Sequence, residues 1–293
     1  MRLRHHVYLS VALTLALAAV AVTPEAGRRR AAHAGSSIRH IVVVVLENED
    51  ASRAELQPYM SELAGRGALL RNYHAVAHPS QPNYIAMVAG STFNLTTNDP
   101  VVLDIKHLGD LLEDKGLTWK VYAENYPGNC YLGESAGLQS TGEYVQRHVP
   151  FLRFKNIRSD PARCPHVVEA AALDADVAAG TLPGFALYVP NNANNGHDTG
   201  VSNADRWLRS RFDPLLSNPK FVDGTLLVVT FDEGTTAGPN IVYTVLVGPG
   251  IARGTVSNRF YDHYSLLRTI EEIFGIGTLD RNDRIAETIR DIW

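Results

Sequence analysis

Short unbroken apolar runs, rather than alternating ones, mark the strands of this chain, and each run ends in polar groups. Residues 41–46 read Ile-Val-Val-Val-Val-Leu and lead into Glu47-Asn48-Glu49-Asp50. Residues 226–231 end in Asp232-Glu233. Residues 185–189 are followed by a loop rich in amides, Pro190-Asn191 through His197-Asp198. Continuous β-branched runs of this length fit strands buried on both faces. Ligands of open α/β sheets sit beyond the carboxyl ends of the strands. Three such ends carrying oxygen and nitrogen donors predict one shared polar site, suited to a metal ion and a charged substrate.

Helical patterns alternate with these strands. Residues 58–66 are short and amphipathic. Residues 79–89 predict a helix with Ser80 near its N-terminus and Pro82 in its first turn. Residues 108–115 precede a strand at 118–123. Residues 203–216 predict a helix with a bend at Pro214, and 241–247 a strand closed by Gly248-Pro249-Gly250. Residues 263–274 place Leu266, Leu267, Ile270, Ile273 and Phe274 at helical spacing and stop at Gly275. The alternation predicts a mostly parallel sheet with helices on both faces. Residues 124–182 are turn-rich and hold both cysteines, and read as a cap-like insertion beside the site.

With 293 residues, 45% of them hydrophobic, the chain can build one large α/β domain, placed at 35–293. Residues 1–34 read as a secretory signal peptide: a basic start, an uncharged apolar stretch at 7–22, and Ala32-His33-Ala34 as a small-x-small cleavage site, with an earlier cut near Ala26 as the alternative. The apolar stretch is short for a membrane span, so no stable span is expected after cleavage and the protein is expected outside the cell. An uncleaved segment, followed by Arg28-Arg29-Arg30, would instead hold it at the cell envelope. Cleavage would remove five Arg and one Glu and take the formal charge from −4 to −8. That acidic balance argues against nucleic acid as a partner. It leaves room for a small phosphate ester whose charge a metal neutralises locally. In an exported chain the cysteine pair Cys130 and Cys164 reads as a disulfide.

Ser80, within His78-Pro79-Ser80-Gln81-Pro82-Asn83-Tyr84, is either a helix N-cap or a nucleophile favoured by the helix terminus. Glu47, Asn48, Asp232 and Glu233 offer two adjacent oxygen ligands at each of two strand ends. They suit Ca²⁺ or Mg²⁺ better than a thiolate-type zinc site, with zinc as the alternative. His197, Asp198 and His263 complete the candidates, the histidines to stabilise or protonate a phosphoryl group. Gly133-Glu134-Ser135-Ala136-Gly137 matches the G-x-S-x-G elbow of serine esterases, but a turn precedes it where that elbow needs a buried strand. A sulfatase pattern starting at Ser80 fails at Tyr84, where arginine is needed.

Taken in order, Leu46-Glu47-Asn48, the His78–Tyr84 segment, the 190–198 loop, Thr230-Phe231-Asp232-Glu233 and His263-Tyr264 resemble the acid phosphatase/phospholipase C phosphoesterases of the alkaline phosphatase superfamily. Arg147-His148-Val149-Pro150 and the short length are most similar to secreted acid phosphatases of mycobacterial type. The resemblance spans residues 38–293. It implies a three-layer α/β/α sandwich of alkaline-phosphatase type and hydrolysis through a phosphorylated serine. Carried over, Ser80 is the nucleophile and a metal ligand. Glu47, Asn48, Asp232, Glu233 and Asp198 fall on metal positions, His197 and His263 on second-metal or transition-state positions, and Asn83 on that of a phosphate-oxygen donor. Phospholipase C members usually have histidine after Glu-Asn and a longer chain, whereas Glu49 follows here. The expected function is therefore a secreted phosphomonoesterase acting on a small phosphate ester or phospholipid headgroup. The alternatives are a phosphodiesterase or phospholipase C, an esterase using Ser135, and a binding protein without turnover.

Overall fold

The computed structural model describes residues 37–137, 143–235 and 239–293; the expected signal peptide lies outside them. Eight strands form one sheet: β1 (His40–Leu46), β2 (Ala68–Leu70), β3 (Trp119–Ala123), β4 (Val167–Glu169), β5 (Phe185–Val189), β6 (Thr225–Phe231), β7 (Thr244–Val247) and β8 (Thr255–Ser257). Their order across the sheet is β8-β2-β7-β6-β1-β5-β3-β4. The two pairings made by β7 are antiparallel and the others are parallel. The mostly parallel sheet read from the chain is thus present.

The apolar runs occupy the centre. Every residue of β5 and β6, and every residue of β1 after His40, is buried. Side chains alternate between the two faces of a strand. Burial at consecutive positions therefore means that both faces are covered, which is the three-layer sandwich expected. The larger helices are α1 (Pro58–Arg66), α2 (Ser80–Ala89), α3 (Leu108–Asp114), α4 (Val201–Leu216) and α5 (His263–Phe274). Helix α2 packs against α5, and α1 against α4. Among the described residues, no helix is long and apolar enough to cross a membrane.

Three elements differ from expectation. The strand read at 241–247 begins only at Thr244, because Ile241 leaves the main sheet to bridge His74. Helix α4 runs through Pro214 to Leu216, where the proline falls in the last turn. The 124–182 segment does not stand wholly apart: Val167–Glu169 joins the sheet as its edge strand, in register with Val121–Ala123. The remainder carries the Cys130–Cys164 disulfide, with Cα atoms 5.4 Å apart, and the turn Gln146–His148.

Candidate active site

Register brings the polar strand ends together. Leu46 of β1 pairs with Phe231 of β6, so Glu47 and Asp232 leave the sheet side by side. The Asp232 N–H donates to Leu46 O at 3.0 Å, and the Asn48 N–H to Asp232 Oδ1 at 3.3 Å. On the other side of β1, the loop after β5 closes on the same end: the Glu47 N–H donates to Asn195 O at 3.0 Å. Gly196 shapes this loop: its φ of +104° is one L side chains rarely adopt, and a Cβ there would crowd Ala204 Cβ at 3.3 Å.

Ser80 is the first residue of α2, a helix buried along its whole length. Its cap position is Pro79, so its hydroxyl is not a cap. The hydroxyl donates instead towards Glu47 Oε2 at 3.2 Å and Glu233 Oε1 at 3.1 Å. Four residues on, and on the same helix face, the Tyr84 hydroxyl donates to Glu47 Oε1. One helix face thus grips both oxygens of one carboxylate. Glu233 also receives His78 Nδ1.

Burial dominates the electrostatics. Glu47 and Asp232 are 1% and 0% exposed. Desolvation raises Glu47 to about 7, with Glu233 adding repulsion. It raises Asp232 well above the usual carboxylate range, with Glu47 and Glu233 adding further. Glu233 is also raised, again by burial first. Asp232 Oδ2 and Asn48 Oδ1 are buried without a hydrogen-bond partner. Neither oxygen has a protein donor to meet it, and buried polar atoms without a partner are uncommon. They meet the need of a cation. Among the described residues, however, no three His, Cys, Asp or Glu side chains are gathered to hold one metal; Glu47 and Glu233 point their oxygens at Tyr84, Ser80 and His78.

The remaining expected residues separate. His197 is half-exposed, with Nδ1 2.7 Å from Asp198 Oδ1. Asp198 is itself half-exposed and faces His197 rather than the carboxylates. Asn83 is saturated by the loop before Ser80: its Oδ1 accepts from the Val76 and Ala77 N–H groups at 3.0 Å each, and its Nδ2 donates to Ala77 O and Pro79 O. It has no donor left for a phosphate oxygen and instead holds the entry to α2. His263 is likewise spent, with Nε2 2.7 Å from Asp232 O and Nδ1 3.1 Å from the Tyr73 hydroxyl. Burial lowers it to about 4. A neutral ring bonded at both nitrogens props the Asp232 backbone and is not placed to protonate a substrate. Ser135 lies exposed in a two-residue strand paired with Tyr144–Val145, remote in kind from a nucleophile elbow.

The structure adds His148, which the sequence marks within Arg147-His148-Val149-Pro150 but to which it gives no role. It stacks on Tyr84 with ring centroids 5.2 Å apart, and its Nε2 lies 3.3 Å from Glu47 Oε1 without a hydrogen bond. Burial, then the neighbouring Arg147, holds it well below the usual histidine range. Tyr84 was legible in principle from its spacing to Ser80, and His78 from its place in the same segment.

A model of the Phosphoesterase family matches residues 51–277. A probable acid phosphatase of Kluyveromyces lactis is 34% identical over 263 residues, covering 87% of this chain and 62% of that protein. A phosphate-repressible acid phosphatase of Penicillium chrysogenum is 34% identical over 87% of this chain and 64% of its own length. The chain thus spans less than two thirds of these fungal relatives. A phosphatidylinositol-3-phosphatase of Mycobacterium tuberculosis is 32% identical over 98% of this chain and 95% of its own length. Among solved structures, a Vibrio parahaemolyticus protein in the alkaline phosphatase superfamily superposes with a TM-score of 0.58 at 13% identity, covering 84% of this chain and 70% of that one. The phosphonate monoester hydrolase of Agrobacterium radiobacter gives 0.54 at 11% identity, covering 86% and 76%. These two share the fold.

Proposed function

The chain belongs to the Phosphoesterase family, and from that premise we propose that it is a phosphomonoesterase of acid-phosphatase type with Ser80 as its nucleophile. The observation that carries this reading is the Ser80 hydroxyl, buried at the start of α2 and shared between Glu47 and Glu233. Ser80 Oγ attacks phosphorus and its proton passes to one of these two carboxylates. The bond from phosphorus to the ester oxygen breaks, and His197, half-exposed beside Asp198, gives a proton to that oxygen. Water then hydrolyses the phosphoserine to free the enzyme and inorganic phosphate.

Asn48 and Asp232, whose oxygens lack partners, would hold a divalent cation, Ca²⁺ or Mg²⁺ by their hard oxygens, with Glu47, Ser80 and Glu233 joining them by giving up their present hydrogen bonds. Bound there, the cation would polarise a phosphoryl oxygen and lower the charge repulsion among the carboxylates. Asp198 is left out of this set by its pairing with His197. The apolar segment at 7–22 supports an exported protein.

The near full-length relative named as a phosphatidylinositol-3-phosphatase favours, as a second reading of the substrate, a phosphate monoester on a lipid headgroup. Both readings are tested by Ser80→Ala assayed on an aryl phosphate and on a phosphoinositide monophosphate. Turnover of both should fall to background while stability drops by no more than about 1.5–3 kcal/mol, the worth of one hydrogen bond to a charged group. A folded Ser80→Ala protein with near-normal rates would refute the nucleophile.

A further inference from the structure

The site around Ser80 is short of free positive charge. His78 is engaged by Glu233 and His197 by Asp198. His263 has both nitrogens bonded, and His148 is held neutral by burial. The helix terminus offers little either: the Gln81 N–H donates to Asn98 Oδ1 at 3.0 Å, and Pro82 has no N–H. A phosphate monoester arriving beside three carboxylates needs charged donors for its oxygens.

Arg147 precedes His148 in the turn that covers Glu47. Its Nε is buried with no hydrogen-bond partner. Other arginines of the same segment are spent on protein acceptors: Arg153 on Glu134, Arg158 on Leu152 O, Arg163 on Asp110 and Glu113. Among the described residues, no acidic group pairs with Arg147. Arg147 adjoins His148, whose ring stacks on Tyr84 at 5.2 Å and whose Nε2 lies 3.3 Å from Glu47 Oε1, which places Arg147 beside the nucleophile end of the site; its positive charge also favours the Glu47 carboxylate. Its planar fork suits phosphate oxygens better than a lysine point charge would.

Given the phosphoryl-transfer reading above, we infer that Arg147 binds a non-reacting oxygen of the substrate phosphoryl group and thereby favours doubly charged monoesters over singly charged diesters. The test compares the wild-type chain with Arg147→Met, using an aryl phosphate, a bis-aryl phosphate, and inorganic phosphate as inhibitor. The inhibition constant of phosphate and KM for the monoester should rise about ten- to a hundredfold, the size of one lost charge-assisted hydrogen bond. kcat should change less, the diester should lose less than the monoester, and added guanidinium ion should restore part of the loss. Should Arg147→Met fail to fold, Arg147→Gln is read in the same way. A folded variant with wild-type KM and inhibition constant would overturn the role of Arg147 while leaving the phosphoesterase reading intact. Equal losses on monoester and diester would overturn the charge selection. A wild-type chain that turns over neither ester would overturn the phosphoesterase reading itself.

Discussion

Two carboxylates in this molecule occupy the same topological position and live in opposite conditions. Glu124 follows Ala123 at the end of β3, as Asp232 follows Phe231 at the end of β6. Each Glu124 oxygen has two donors: the Tyr188 hydroxyl and Trp207 Nε1 on Oε1, the Asn191 N–H and Asn194 Nδ2 on Oε2. Asp232 has one weak donor on Oδ1 and none on Oδ2, and faces two other carboxylates. Glu124 is a staple for the 190–198 loop. Asp232 is kept short of partners, and that shortage leaves it free for chemistry. A strand-end carboxylate marks a site only where the protein has not already satisfied it.

Exchanging the two roles should give the largest effects. Asp232→Asn should cut turnover on an aryl phosphate by about 10³-fold or more, the order lost when one member of a catalytic set is removed. Its melting temperature should hold or rise, because a buried repulsion is relieved. Glu124→Gln should do the reverse, keeping the rate per folded molecule and losing stability. Each charged hydrogen bond lost there costs about 1.5–3 kcal/mol, and each kcal/mol lowers the melting temperature by about 2–4 °C. Paired rate and melting measurements in one buffer check both, and a stability loss in Asp232→Asn with activity kept would erase the distinction.

A divalent cation sharpens the same contrast. Ca²⁺ or Mg²⁺ at a hundred times its dissociation constant should stabilise the fold by about 2.7 kcal/mol. Chelation should reverse this and lower activity. Asp232→Asn should lose the response and Glu124→Gln should keep it. A fully active, equally heat-stable protein after verified metal removal would exclude the cation.

The smallest expected effect concerns another unsatisfied carboxyl, away from the site. Both Glu271 oxygens are buried without a hydrogen-bond partner. Burial, then the neighbouring Asp283, raises its pKa to about 9. The folded state therefore binds a proton that the unfolded state releases near 4.5. Its contribution is full below about 4.5 and is lost as pH rises towards 9. Melting temperature should fall over that window, and Glu271→Gln should flatten the fall, gaining about 2–4 °C at pH 8 for each kcal/mol recovered. A profile identical to wild type would show that Glu271 does not titrate there.

The central strands and the start of α2 were readable because buried parallel strands leave unbroken β-branched runs, as at residues 41–46 and 226–231. Helix α1 was readable from its amphipathic spacing. The edge strand β4 was not: three residues carry no periodicity, and turn-rich sequence surrounds them. The gathering of Glu47, Asp232 and Glu233 near Ser80 followed from their strand-end positions. What the sequence could not carry is hydrogen-bond saturation. Asn83 and His263 look like free polar groups in the chain, yet each is fully spent on backbone or hydroxyl partners that only the fold supplies. Arg147 and His148 stand out in the chain as part of a resembling segment, but their place over Glu47 does not, since a turn far along the chain carries them there.

The placement of β1 between β5 and β6 also constrains when the site can exist during synthesis. Asn48 meets Asp232 across 184 residues of sequence. Parallel pairing over such a separation forms late, because the loop must close before its contacts reward it. Glu47 and Ser80 leave the ribosome early and must wait for β6, more than half of the chain later, before Asp232 and Glu233 arrive to complete the set. A nascent or truncated chain ending before Thr225 therefore carries the nucleophile without its site, and catalytic competence reports that the whole sheet has closed.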